Sequence, residues 1–237
     1  MDSLTDILQG TCLLVDKPLG WTSFDAVNKI RYTIRNSYGI KKIKVGHAGT
    51  LDPLATGLLI ICTGRMTKQI ENFQGLDKSY EGELVLGATT PTYDGEMEID
   101  ETFPVDHLGL DDIYQAAQSF VGEITQVPPI YSAIKKDGVP LYRLARAGKD
   151  IKPKARQVVI HEFNITSVAM PSVAFVVKCS KGTYIRSLAN DLGRKLSSGA
   201  YLSRLRRSAI GQYTVKDAWE IDKLVEAIKR TAHEYSR

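Results

Sequence analysis

The stretch that most restricts how this chain can fold is Val45–Ile60, VGHAGTLDPLATGLLI, where three glycines and a proline surround one acid before an apolar run begins. Gly46, Gly49 and Gly57 let the backbone bend or approach another segment closely, and Pro53 drives Asp52 toward extended backbone. The Asp52 carboxylate is then presented on a turn. An Asp-Pro pair is also a good N-cap and first residue of a helix, which is the competing reading. His47, Thr50 and Thr56 place further polar groups within a few residues of the acid. An acid on a shaped, glycine-lined turn serves as a nucleophile or a base.

At 237 residues, 43% hydrophobic and 24% charged, the chain has the composition of a globular protein with a real core and not of a disordered or fibrous one. Cys12, Cys62 and Cys179 lie far apart in sequence without metal-ligand spacing and sit in apolar runs, which suits reduced core thiols and a cytosolic compartment. No basic leader with an apolar h-region opens the chain, and no apolar run reaches the ~18 residues of a membrane span. The formal net charge is only +4. Its distribution is uneven: Asp94–Asp112 carries eight acids and no Lys or Arg, Lys135–Arg156 eight basic residues against Asp137 and Asp150, and Lys178–Arg207 eight against Asp191. This pattern fits either one positive face for a phosphate backbone or two ordinary solvated surfaces.

Thr11–Asp16 reads as a short strand stopped by the Lys17-Pro18-Leu19-Gly20 turn, after which Thr22 or Ser23 caps a helix with Phe24, Val27, Ile30 and Ile34 at helical spacing. Leu58–Cys62 continues apolar, and Gly64–Gln74 is polar and helical. Tyr80–Leu86 alternates as a half-buried strand opened by Tyr80, by default a core residue with a wet hydroxyl. GATTPTYDGE, 87–96, is rich in turn formers and reads as a solvated hairpin loop. A helix over Asp111–Val121, capped by Asp111, follows. Gln126–Lys149 interleaves basic residues, prolines and tyrosines, a composition that grips phosphates and stacks on bases. Val158–Val168 and Val173–Cys179 read as strands. The next helix carries Ile185, Leu188, Ala189, Leu192 and Leu196 on one side, and Arg186 falls in its first turn, where a cation is disfavoured by a few tenths of a kcal/mol and calls for an anionic partner. Asp217 and Glu220 form a capping box for a last helix.

Five of these segments resemble, in order, the motifs of the TruB-type tRNA pseudouridine synthases, which isomerise uridine-55 in the T loop. They are LLVDKPLGWTSFDAV, GHAGTLDPLATGLL, PPIYSAIK, SKGTYIRSLANDLG and GAYLSRLRRSAIG, which together reach from about Thr11 to Gly211. The resemblance implies one α+β catalytic domain over 1–237 with the pseudouridine synthase fold. It further implies a mixed, mostly antiparallel sheet flanked by helices, a basic thumb-like insertion at about 124–152, and no further C-terminal RNA-binding (PUA) domain.

The same resemblance implies a set of roles. Asp52 is the catalytic aspartate, Arg186 its partner, and Tyr80 stacks on the flipped uridine. His47 fills the space the base leaves, Leu205 walls the base pocket, and Lys17, Asp94 and Tyr184 belong to the surroundings of the substrate. Lys135 and Arg143 meet the RNA from the thumb. The implied partner is the T arm of tRNA, with no membrane, no protein partner, no cofactor and no metal. Two rival readings differ in class. A non-catalytic RNA-binding module needs the thumb but not Asp52, and a small-molecule phosphate enzyme could use the glycine turn, although its spacing matches neither a P-loop nor a dinucleotide fingerprint.

Overall fold

The computed structural model describes residues 4–149 and 151–235. Asp150, an acid of the basic stretch and part of the expected insertion, lies outside the described residues. In chain order the elements are β1 (Cys12–Lys17), α1 (Ser23–Ser37), β2 (Val45–His47), β3 (Ala55–Thr63), α2 (Ile70–Gly75), β4 (Lys78–Leu86), β5 (Ala88–Thr89), β6 (Glu101–Thr102), α3 (Leu110–Gln118) and β7 (Gly122–Gln126). There follow β8 (Lys135–Lys136), β9 (Val139–Pro140), α4 (Leu141–Arg146), β10 (Arg156–Ala169), β11 (Ser172–Cys179), α5 (Ile185–Lys195), β12 (Ala200–Ile210), β13 (Tyr213–Thr214), β14 (Trp219–Glu220) and α6 (Ile221–Tyr235). This is an α+β chain whose strand pairs are mostly antiparallel. It forms two compact units, residues 1–80 with 206–237 and residues 81–205, so β4 and β12 each contribute residues to both.

In the first unit the strand order is β14-β1-β3-β12, with β2 also paired to β3. β1 and β3 run antiparallel from Cys12 opposite Cys62 to Lys17 opposite Gly57, while β14 lies parallel to β1. α1 and α6 cover one face, where Leu13, Val15, Leu59 and Ile61 meet Val27, Ile30, Leu224 and Ile228. The other face carries Leu58, Ile60, Cys62 and Ile210 against Phe73 and Tyr213. Being covered on both faces, β3 is buried almost continuously and reads as an apolar run, not as an alternation.

Thr22 is the N-cap of α1, in a capping box with Asp25. Phe24, expected on the apolar side, is 61% exposed. The inward place in the first turn belongs to Ser23, which begins the buried stripe continued by Ala26, Val27 and Ile30. The Asp217 capping box does not form. Asp217 instead accepts the Thr214 hydroxyl at 2.7 Å within a short turn, and Trp219–Glu220 are drawn into pairing with β1 before α6 begins.

In the second unit the order is β12-β4-β11-β10-β7. α3 packs on the long β10–β11 hairpin, where Phe120, Phe163 and Phe175 make successive edge-on contacts at 6.5 and 5.5 Å. α3 starts one residue before the expected Asp111, because Gly109 is the N-cap and donates its N–H to Asp112 at 2.8 Å. The 87–96 segment is no solvated loop. Thr90, Thr92 and Asp94 are all buried, and both threonine hydroxyls donate to the Asp94 carbonyl.

Candidate active site

In the first unit Asp52 lies on the turn that leads into β3, where Ala55 N–H closes onto the Asp52 carbonyl at 3.0 Å. No helix follows, so the N-cap alternative is wrong: Pro53 and Leu54 occupy the middle of a β-turn and Ala55 already belongs to the strand. Asp52 is half-buried, and its neighbours are tied down one by one. The Ser23 hydroxyl accepts from Leu51 N–H at 2.8 Å and donates to the Leu51 carbonyl at 3.1 Å. Gly20 N–H donates to the Pro53 carbonyl at 2.9 Å. Arg207, 1% exposed, donates Nε to Leu58 O at 2.8 Å and Nη2 to Gly49 O at 3.1 Å, so one guanidinium joins the two ends of the turn. Gly57 is required between them: at φ +104° a Cβ there would lie 2.3 Å from the Arg207 carbonyl oxygen.

Lys17 ends β1 opposite Gly57 and is fully buried. Its ammonium donates to the Pro18 and Trp21 carbonyls at 2.9 and 2.6 Å, so this group braces the turn. Burial brings its pKa down to about 8, against an opposing pull from Asp52 and with a further push from Arg207. Burial, with Arg207 adding to it, also holds the His47 imidazole below its ordinary value, which favours a neutral ring. On β12 Arg206 grips Asp16 through two bonds, at 3.0 and 2.6 Å. Tyr80, on β4, is buried.

In the second unit Arg186 sits in the first turn of α5, 4% exposed. The anion that a cation at this place calls for is present within the unit: the Asp94 carboxylate lies 3.5 Å from its Nε, an ion pair at the edge of hydrogen-bonding range. Nη1 and Nη2 donate to the Thr92 and Tyr131 carbonyls, each at 3.0 Å. Tyr184, the N-cap of α5, is held by the buried Gln126 side chain, which accepts from its N–H at 2.8 Å and donates to its carbonyl at 3.1 Å. Arg156 stacks on the Tyr184 ring at 4.7 Å. Leu205 is buried on β12.

Lys135 opens a two-residue hairpin whose tip, Asp137-Gly138, takes left-handed backbone at both positions, as a tight hairpin turn demands. Lys135 and Arg143 are exposed, and Arg143 and Arg146 flank the Tyr142 ring at 6.0 and 5.9 Å.

Within each unit the expected residues thus fall into groups: Asp52, Lys17 and His47 around the turn in the first, Arg186 with Asp94 in the second, and Lys135 and Arg143 on the basic hairpin and helix. Ser23, Arg207, Gln126 and Arg156 were missed. Ser23 reads only as a cap candidate, and Arg207 only as the end of a basic segment, because nothing in a sequence distinguishes an arginine bonded to carbonyls from one in water. Among the described residues no group of three or more His, Cys, Asp or Glu gathers as a metal site, and no helix is long and apolar enough to cross a membrane.

Residues 35–185 match the model of the TruB family pseudouridylate synthase N-terminal domain, and residues 186–237 that of the tRNA pseudouridylate synthase B C-terminal domain. The chain is 55% identical over 225 residues to a tRNA pseudouridine synthase B of Flavobacterium johnsoniae, covering 94% of this chain and 98% of that protein. It is 50% identical to the one of Phocaeicola vulgatus, covering 92% and 93%. The fold is also similar to a chain of a Cbf5-Nop10-Gar1 complex, at 24% identity and a TM-score of 0.71, covering 97% of this chain and 61% of that one. It resembles a chain of an H/ACA RNP bound to a substrate RNA as well, at 24% identity and a TM-score of 0.67, covering 93% and 53%.

Proposed function

Because the chain belongs to the TruB family of pseudouridylate synthases, we propose that it isomerises uridine-55 in the T loop of tRNA to pseudouridine, with Asp52 as the nucleophile. The reaction breaks the C1′–N1 bond, turns the base and joins C1′ to C5. It needs a fixed nucleophile, exclusion of water and a base taken out of its stack. The observation that carries this reading is the bracing of the Asp52 turn. Leu51, Pro53 and Gly49 each have backbone groups fixed by Ser23, Gly20 and Arg207, so the chain on both sides of Asp52 is held and its carboxylate is presented from a fixed backbone.

In this reading Tyr80 stacks on the flipped uridine, His47 fills the space it leaves, and Leu205 forms the apolar wall. Arg186 orients Asp52, while Asp94 and Tyr184 support the same surroundings. Lys17, its ammonium committed to carbonyls, holds the turn, and Lys135 and Arg143 meet phosphates of the T arm. The rotation asks for no redox or metal chemistry, and the protein acts with its tRNA in the cytoplasm.

The test is position-resolved mapping of pseudouridine in an unmodified tRNA transcript treated with the protein. One new pseudouridine at position 55 is expected, lost in Asp52→Asn. Modification at another position, or turnover by the Asn variant, would overturn the assignment.

A further inference from the structure

β1 and β3 bring two cysteines that are distant in sequence directly opposite one another, Cys12 facing Cys62. The pairing class of this position follows from its neighbours. Thr63 N–H donates to the Thr11 carbonyl at 2.9 Å, which makes 11 and 63 a hydrogen-bonded pair and the next position a non-hydrogen-bonded one. The other edge of β3 gives the same answer. Gly64 N–H reaches Lys44 O and Ala48 N–H reaches Ile60 O, so by alternation the backbone groups of Cys62 face Gly46 of β2, away from β1. At non-hydrogen-bonded antiparallel positions the Cα atoms stand about 4.5 Å apart and the side chains leave side by side. A disulfide requires Cα atoms about 4.4–6.8 Å apart, so these strands already have the backbone spacing for a bridge.

The two sulfurs touch, Cys62 S–H being hydrogen-bonded to Cys12. They differ in access. Cys62 is wholly buried, whereas Cys12 is partly exposed and lines a cavity of about 700 Å³ with Met66, Phe73, Tyr213 and Trp219. That hydrogen bond, together with burial, raises the pKa of the Cys62 thiol, and Cys12, the one of the two that reaches the cavity, is the sulfur that meets the oxidant.

We propose that Cys12 and Cys62 are a thiol-oxidation site at which hydrogen peroxide, admitted through the cavity, converts the pair into a disulfide between β1 and β3. The Cys12 sulfur breaks the peroxide O–O bond, takes one oxygen as a sulfenic acid and releases the first water. The Cys62 sulfur then attacks Cys12, its proton leaving with the displaced oxygen as the second water. Two thiols lose two electrons and one peroxide gains them. Cys179, buried in the second unit opposite Ile160, takes no part. The site does not rest on the assignment of Asp52.

The test is intact-mass measurement and non-reducing peptide mapping of the full-length protein after treatment with one equivalent of peroxide. The expected result is loss of two hydrogens, one crosslinked Cys12–Cys62 peptide, its disappearance in Cys12→Ala and in Cys62→Ala, and a higher unfolding midpoint for the oxidised wild type. Oxygen addition at Cys12 without a crosslink, a bridge to Cys179, or dimers linked through Cys12 would each overturn the proposal. Should Cys62→Ala fail to fold, the crosslink map of the wild type decides alone.

Discussion

The Asp52 turn and the basic stretch from Lys135 to Lys149 use the same residue types to opposite ends. Around the turn, Lys17 and Arg207 are buried and spend their N–H groups on backbone carbonyls. On the basic stretch, Lys135, Lys136, Arg143 and Arg146 are exposed, and Arg146 makes a 3.0 Å ion pair with Glu96 in which both side chains remain wet. A buried cation that satisfies carbonyls becomes structural, because removing it orphans acceptors at about 1–3 kcal/mol each. An exposed pair is worth about 0–1 kcal/mol and is easily exchanged for a phosphate. Charge therefore braces in one region and stays in water in the other, and burial decides which.

The sharpest way to break this contrast is Asp52→Asn, which leaves the braces intact. Single-turnover isomerisation should fall by ~10³-fold or more while RNA affinity and the unfolding midpoint hold. Parallel loss of affinity would show that the acid also binds. Arg207→Lys comes next. It keeps a charge but cannot reach two carbonyls through a planar fork, so the expected cost is about 2–4 kcal/mol in denaturant unfolding, with a slower single-turnover step at unchanged affinity.

Lys17 supplies a pH test of bracing. Its folded value is about 8 against an ordinary 10.5. Below pH 8 both folded and unfolded chains hold the proton, and the cost of the buried charge is fully present. Between 8 and 10.5 the folded chain has released it while the unfolded chain has not, so this group makes stability rise with pH, by up to about 3 kcal/mol. Urea midpoints measured from pH 8 to 10 should carry this upward component in the wild type, and Lys17→Met should lose it; identical slopes would show that Lys17 is not held this way.

The smallest effects belong to the exposed stretch. Lys135→Ala and Arg143→Ala should each reduce the log-log salt slope of RNA binding by roughly 0.7–0.9. Stability should change by no more than about 0.5 kcal/mol, and bound RNA should still react normally. A slope untouched in both variants would move the RNA contact elsewhere.

What the sequence disclosed follows from the reach of each signal. β1, α1, β10, β11 and α5 were legible because apolar spacing and turn residues are local, and Thr22 was legible, for the same reason, as one of two cap candidates. Asp217 and Asp111 misled because a cap depends on which neighbour wins the backbone: Asp217 was taken by Thr214, and Asp112 closed α3 from inside. Within the site, the glycines and Pro53 marked the Asp52 turn correctly, but its supports did not show. Ser23 and Arg207 act on residues 28 and 158 positions away, a separation that no periodicity encodes. Asp94 was read as support in a wet loop, whereas the burial of Thr90 and Thr92 makes its segment part of the interior.

β3 has one more consequence. Its edges are engaged by β1 on one side and by β2 and β12 on the other, so its amide protons are shielded along the strand. Amides of this kind exchange with solvent only in rare, large openings, whereas hairpin tips such as 137–138 exchange by fraying. The Asp52 turn hangs from the start of the strand that should be the last to let deuterium in. The lifetime of its geometry is then set by global unfolding, and a reacting base would meet the same carboxylate position from one turnover to the next.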